Sequence, residues 1–252
     1  MTPFSLVAGL AVLIVRPGML VIATPLLGAL HTPVAMRIGL TVLLGVVLAP
    51  HVAVPSNLTA MGLVLVLARE AAIGLALAFA IRVLLFGAEL AGHLSGYQLG
   101  LSLGALIDPQ TGVRNNVLAL LYANVAVVVL LATNAHHSLI QALADSYVAL
   151  PIGVGGVDAA LADHAARMFG LVFIFGVRLA APVLVVLLLI EIALGLIARV
   201  APALNVMLAG APVRLVIGLL LVAATVTALP GLIGRFLPAA LELGAGTARA
   251  FR

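Results

Sequence analysis

Apolar residues run along this chain in stretches too long for ordinary soluble helices, and polar residues fall in short interruptions between them. A bilayer core is crossed by about 20 apolar residues as helix, and with that ruler six hydrophobic regions emerge. The first covers residues 3–30 and is interrupted by Arg16-Pro17-Gly18 and by Pro25. The second spans residues 35–54, and Pro50, Pro55, Ser56 and Asn57 mark its end as a loop. The third covers residues 58–90 and continues through a glycine-rich stretch to Ile107; residues 117–143, 168–200 and 214–237 make the fourth, fifth and sixth. The longest polar interval, residues 145–163, contains Pro151 and the cluster Gly153, Gly155 and Gly156. It reads as a loop at a membrane face or as a hinge between two halves. The expected fold class is all-α: a polytopic integral membrane protein with about six hydrophobic helical regions, several broken by Gly or Pro.

Composition agrees with that pattern. Hydrophobic residues make up 65% of the chain and charged residues 8%, against roughly 25% charged in soluble domains, and the mean hydropathy is +1.35. The chain has no Cys, which excludes disulfides, thiolate catalysis and Cys-ligated metals. All 12 basic residues are Arg, and the net charge of +4 is too dispersed to form a stripe along nucleic acid. Arg16 follows the first apolar run rather than preceding it, so that run reads as a retained helix, with a cleaved signal peptide as the alternative. The arginines are scattered along the chain, and Arg235, Arg249 and Arg252 favour a cytoplasmic tail.

Charges inside the hydrophobic regions change the picture more. Arg69, Glu70, Arg82 and Glu89 punctuate the third region, and Arg178 and Glu191 the fifth. A charge at the centre of a span costs about 2.5–3.5 kcal/mol on insertion scales. These six either pair within a bundle, face protein partners and water, or snorkel from helix ends. Together with 13 prolines, they suit broken, closely packed helices inside an assembly.

Gly92, Gly96, Gly100 and Gly104 recur every four residues, which places them along one helical face where another backbone can approach. Glycine in a helix interior costs roughly 1 kcal/mol against alanine, so a helix-packing face is the expected return. The ladder leads into Ile107-Asp108-Pro109-Gln110-Thr111-Gly112-Val113-Arg114. Asp and Pro suit the first two positions of a tight turn. The stretch reads as a surface loop between two spans or as a re-entrant, pore-lining loop.

Searches for catalysis return little. Gly92-His93-Leu94-Ser95-Gly96 does not place Ser at the centre of a G-x-S-x-G elbow. Adjacent His136 and His137 point about 100° apart on a helix and read as helix-end or interface residues rather than as ligands of one metal. No phosphate-binding loop, dinucleotide fingerprint or paired-aspartate signature occurs, and no cofactor and no enzyme activity are expected.

Several short blocks nevertheless form an ordered set. Gly96-Tyr97-Gln98-Leu99-Gly100, Asp108-Pro109-Gln110-Thr111-Gly112, Asn134-Ala135-His136-His137, Ala149-Leu150-Pro151-Ile152-Gly153, Glu191-Ile192-Ala193-Leu194-Gly195 and Ala201-Pro202-Ala203-Leu204-Asn205-Val206 closely resemble the FliR family of flagellar export-gate proteins. Arg16-Pro17-Gly18, Pro25, Pro33 and Arg37 fall at that family's early landmarks, and Met207 departs from it, standing where many relatives have Phe. The resemblance covers nearly the whole chain.

That resemblance implies a core subunit of the flagellar type III protein export gate in the bacterial inner membrane, at the flagellar basal body. It implies FliP and FliQ as partners in a helical hetero-oligomeric gate, association with FlhB and FlhA, contact with membrane lipid, and unfolded flagellar export substrates. It also implies a FliP-like part at residues 1–145 and a FliQ-like part at 146–252, and it maps a pore-closing plug onto Ile107–Arg114. Two alternatives stand beside it: the homologous gate subunit of a virulence injectisome, and an autonomous small-molecule secondary transporter. A transporter of that kind is expected to show two halves with matching interrupted segments, and the glycine ladder has no counterpart in residues 150–252.

Overall fold

A computed structural model describes residues 3–25, 27, 32–51, 59–101, 116–153, 156–201 and 206–252. Among these residues there is no strand. Seven α-helices follow one another: α1 (Pro3–Ala23), α2 (Val34–Leu48, continued by a 3-10 turn at Ala49–His51), α3 (Ala60–Gln98), α4 (Val117–Ala132), α5 (Ala135–Ala149), α6 (Ala160–Val200) and α7 (Val206–Arg249). Each of the six expected hydrophobic regions contains helix.

Among the described residues three helices are long and apolar enough to cross a membrane: α3, α6, and α7 from Gly210 on. The pair α4 and α5 makes a fourth candidate, bent by 68°. The 41 residues of α6 correspond to about 60 Å of helix, roughly twice the hydrocarbon core of a bilayer. These helices therefore extend well past one crossing.

The helix ends differ from the expected ones, for local reasons. Residues 117–143 are not one helix, because Asn134 takes a left-handed conformation (φ 58°, ψ 27°) between α4 and α5. Asn is one of the few side-chain-bearing residues that visits this region. The polar interval at 145–163 is shorter than its composition suggested: α5 runs on to Ala149, and α6 already starts at Ala160, where the Asp158 carboxylate accepts from the Ala160 N–H at 3.0 Å. Prolines interrupt less than expected. Pro17 lies inside α1 and Pro182 inside α6, and α7 contains Pro212, Pro230 and Pro238. Long apolar helices with packed neighbours tolerate the missing N–H groups.

Gly100 ends α3. Its φ is 75°, its N–H donates to the Tyr97 carbonyl at 3.1 Å, and the Leu101 N–H donates to the Gly96 carbonyl at 3.0 Å. This pairing is a Schellman motif with Gly100 at the left-handed position. The four-residue glycine repeat therefore stops being a helical face at Gly100, and Gly104 lies outside the described residues.

The described chain divides into two compact units that are interleaved in sequence and do not follow a boundary at residue 145. The first comprises residues 1–83, 130–170 and 236–252. In its core Gly74 lets the α1 backbone approach closely, since a Cβ there would stand 2.5 Å from the Arg16 carbonyl oxygen. The second comprises residues 84–129 and 171–235. There Gly87 and Gly176 bring α3 and α6 together, and a Cβ on Gly176 would meet the Gly87 carbonyl oxygen at 2.8 Å. In the same unit the Tyr122 and Thr225 hydroxyls share a hydrogen bond between α4 and α7.

Replacing Gly100 by Ala is expected to destabilise the chain by about 1–2 kcal/mol, the cost of a left-handed residue with a Cβ. Gly100→Asn is expected to cost less. Unfolding midpoints of the purified variants in detergent measure both, and an Ala variant as stable as the parent would remove the cap assignment.

Candidate functional site

The first unit contains a buried polar knot centred on Arg16. This side chain is fully buried in α1, where an unpaired charge would cost several kcal/mol. It is paired on every side. Arg16 Nε donates to Glu70 Oε2 at 2.7 Å, Nη1 to Ser146 Oγ at 3.0 Å and Nη2 to the Leu150 carbonyl at 3.1 Å. Its guanidinium carbon lies 4.1 Å from the centre of the Tyr147 ring, a cation–π contact strengthened by desolvation. Tyr147 in turn donates to the Leu13 carbonyl at 3.2 Å.

Arg69 extends the knot. Its Nη1 stands 3.7 Å from Glu70 Oε1 and donates to the Pro151 carbonyl at 3.1 Å, while its Nε donates to the Phe251 carbonyl at 2.7 Å. The Gly156 and Asp158 N–H groups donate to the Arg252 and Ala250 carbonyls at 2.8 and 2.7 Å. Side chains of α1, α3 and α5, the turn after α5 and the last residues of the chain are thus held by one network.

The other four charges have different surroundings. Arg82 donates to the Ala23 carbonyl at 2.5 Å and so caps the end of α1. Glu89 is about half exposed and lies 3.8 Å from His93 one turn on. Glu191 pairs with Arg214 of α7 at 3.3 Å, both partly exposed. Arg178 is exposed on α6. Arg16 and Arg214 were not among the residues singled out as interface charges. The signal for Arg16 was available, since it is a charge inside the first apolar region like the other six, but Pro17 and Gly18 beside it read as a break.

The gate-loop residues Ile107, Asp108, Pro109, Gln110, Thr111, Gly112, Val113 and Arg114 lie outside the described residues. Their two flanks are described, within the second unit. Asn116, buried just before α4, donates through Nδ2 to the Gly92 and His93 carbonyls, each at 3.3 Å. Its Oδ1 accepts from the Leu118 N–H at 3.0 Å. A Cβ on Gly92 would overlap the backbone of Leu118 and Ala119, and one on Gly96 would overlap the Asn116 amide. The last turns of α3 and the first turn of α4 are therefore in contact through bare glycine backbone.

His136 and His137 open α5 with their rings 4.2 Å apart. Among the described residues, no three His, Cys, Asp or Glu side chains converge as metal ligands.

Long apolar helices, internally paired charges and helix contacts through glycine define a polytopic α-helical membrane protein. Residues 7–239 match the family described as bacterial export proteins, family 1, and the chain belongs to that family. It is 34% identical over 188 residues to the flagellar biosynthetic protein FliR of Pectobacterium carotovorum subsp. carotovorum, covering 73% of this chain and 71% of that one. It is 29% identical over 204 residues to the flagellar biosynthetic protein FliR of Bacillus subtilis (strain 168), covering 79% of each. Yop proteins translocation protein T of Yersinia pestis is 29% identical over 164 residues, 64% of this chain and 63% of that one.

Glu70→Gln is expected to lower stability by about 3–5 kcal/mol, because it leaves Arg16 charged and buried without its counter-ion. The double variant Arg16→Met, Glu70→Leu removes both charges and is expected to recover most of that loss. Unfolding of the single and double variants in detergent tests the pair. A double variant as unstable as the single one would show that the Ser146 and Leu150 contacts outweigh the ion pair.

Proposed function

We propose that the chain is the FliR-type core subunit of a flagellar type III protein export gate in the bacterial inner membrane, at the flagellar basal body. It assembles there with FliP and FliQ, in association with FlhB and FlhA, and helps form and close a channel for unfolded flagellar substrates. The observation that carries this reading is α6. Only 17% of its most apolar stretch is buried, against 67% for α3, yet the helix is about twice as long as a bilayer core is thick. Its exposed surface includes Arg178 and the Glu191 pair, which lipid accommodates poorly. A helix too long and too charged for lipid, but apolar along most of its free face, is suited to packing against further protein subunits.

In this reading α3 holds the fold and α6 and α7 receive neighbours. Ile107–Arg114 is the plug, and the contact of Asn116 with Gly92 and Gly96 joins the described helices on either side of it in the sequence. A FliP-like first part and a FliQ-like second part remain part of the proposal. The injectisome relative supports the same mechanism in a second setting. The flagellar setting is favoured because the Pectobacterium carotovorum and Bacillus subtilis flagellar relatives align over 73% and 79% of the chain, against 64% for the Yersinia pestis protein.

The test deletes Gln110–Gly112 in the assembled gate and records ion conductance across the inner membrane together with motility. A leaky membrane with intact assembly is the expected outcome. Normal tightness with intact assembly would overturn the plug assignment, and failure of the parent chain to co-purify with FliP and FliQ would overturn the gate assignment itself.

A further inference from the structure

Within the first unit, α5 and α7 part over α3 to leave a cavity of about 300 Å³. The space exists because the facing positions are small: Ala142 and Ala149 on α5, Ala245 and Ala248 on α7. Leu77 of α3 and Leu241 of α7 make its wall apolar. Part of that wall is held in place, since Ser146 and Leu150, which also line it, accept from Arg16 through Oγ and the carbonyl.

Three exposed charges line the opening: Asp145 of α5, and Glu242 and Arg249 of α7. Among the described residues none of the three takes part in an ion pair. Charges of both signs left open around one apolar cavity suit a ligand that itself carries both signs beside an apolar portion. The position fits as well. The cavity lies along the last two turns of α5 and the last turns of α7, helices that belong to two candidate membrane spans. The apolar run of α7 ends near Arg235, so Glu242 and Arg249 fall beyond it, on the side where polar headgroups meet a span.

We propose that this cavity binds a phosphoethanolamine headgroup, the lipid's acyl chains running along the Leu77 and Leu241 wall. The Arg249 guanidinium offers paired N–H donors to the phosphate. The Asp145 and Glu242 carboxylates accept from the ammonium, which has three N–H groups to give. A phosphatidylglycerol has no ammonium and brings its phosphate against two carboxylates. The trimethylammonium of phosphatidylcholine has no N–H to donate.

Native mass spectrometry of the delipidated full chain in detergent, titrated with phosphatidylethanolamine, phosphatidylglycerol and phosphatidylcholine, tests the assignment. Phosphatidylethanolamine is expected to be retained about tenfold more tightly than either of the others, a difference that one or two charge-assisted hydrogen bonds supply. Arg249→Gln and the double variant Asp145→Asn, Glu242→Gln are each expected to erase that preference. Ala245→Leu, which fills the cavity without touching a charge, is expected to lower retention, whereas Asp163→Asn, on the exposed Asp163–Arg167 pair, is expected to leave it unchanged. Equal retention of the three lipids would overturn the proposal, as would a preference that survives in the Arg249 and carboxylate variants. Soluble glycerophosphoethanolamine is expected to compete poorly; competition at concentrations equal to the lipid's would assign the cavity to a free headgroup and overturn the lipid assignment.

Discussion

A guanidinium buried where water does not reach is the constraint around which the first unit is built. Arg16 cannot shed its charge, because the side chain stays protonated in proteins, and it cannot remain unpaired at bearable cost. The surrounding segments must therefore bring it a carboxylate, a hydroxyl and a carbonyl at once, and α3, α5 and the turn after α5 do so. Gly74 is the packing counterpart of that demand: only a residue without Cβ lets α3 come close enough to the α1 backbone at Arg16. Arg69, next to Glu70, carries the same network to the last residues of the chain. Buried ion pairs of this kind contribute less net stability than well-packed apolar groups would. Their value lies in register, since a one-residue shift of α1 or α3 would strand the charge.

Among its described residues the second unit packs closely without a fully buried charged side chain. Glycines at 87, 92, 96 and 176 remove side chains where backbones meet, so that α3 lies against both α4 and α6. Where no hydrophobic drive separates helix contacts from lipid contacts, close backbone approach and hydrogen bonding are what remain to hold helices together. The Asn116 amide and the Tyr122–Thr225 hydroxyl pair supply that hydrogen bonding.

Satisfaction inside contrasts with exposure outside. Large apolar residues such as Phe169, Phe173, Leu189 and Val216 are more than half exposed on α6 and α7, as are Val46 and Val47 on α2. A chain that pairs its buried arginine internally while leaving long apolar faces open is stable only when lipid or other subunits cover those faces.

The all-helical membrane architecture was legible from the chain alone, because long apolar runs leave the backbone few ways to satisfy its hydrogen bonds except as helix. The ordered blocks from Gly96 to Val206 carried the family resemblance, and the charges in the third and fifth regions marked where pairing or partners were required. The helix ends were less legible. A period of four continues through Gly100 on paper, but whether a glycine extends a face or closes a helix depends on its φ, which a neighbourless sequence does not specify. Pro17 read as an interruption of the first region and Asn134 did not read as one of the fourth, because the cost of a lost N–H or a left-handed turn is weighed against packing that the sequence does not display. Tertiary structure alone decided the partners of Arg16, which lie 54, 130 and 134 residues away. Local pattern reports periodicity and propensity; which distant groups share one dry pocket is set by the folding of the whole chain.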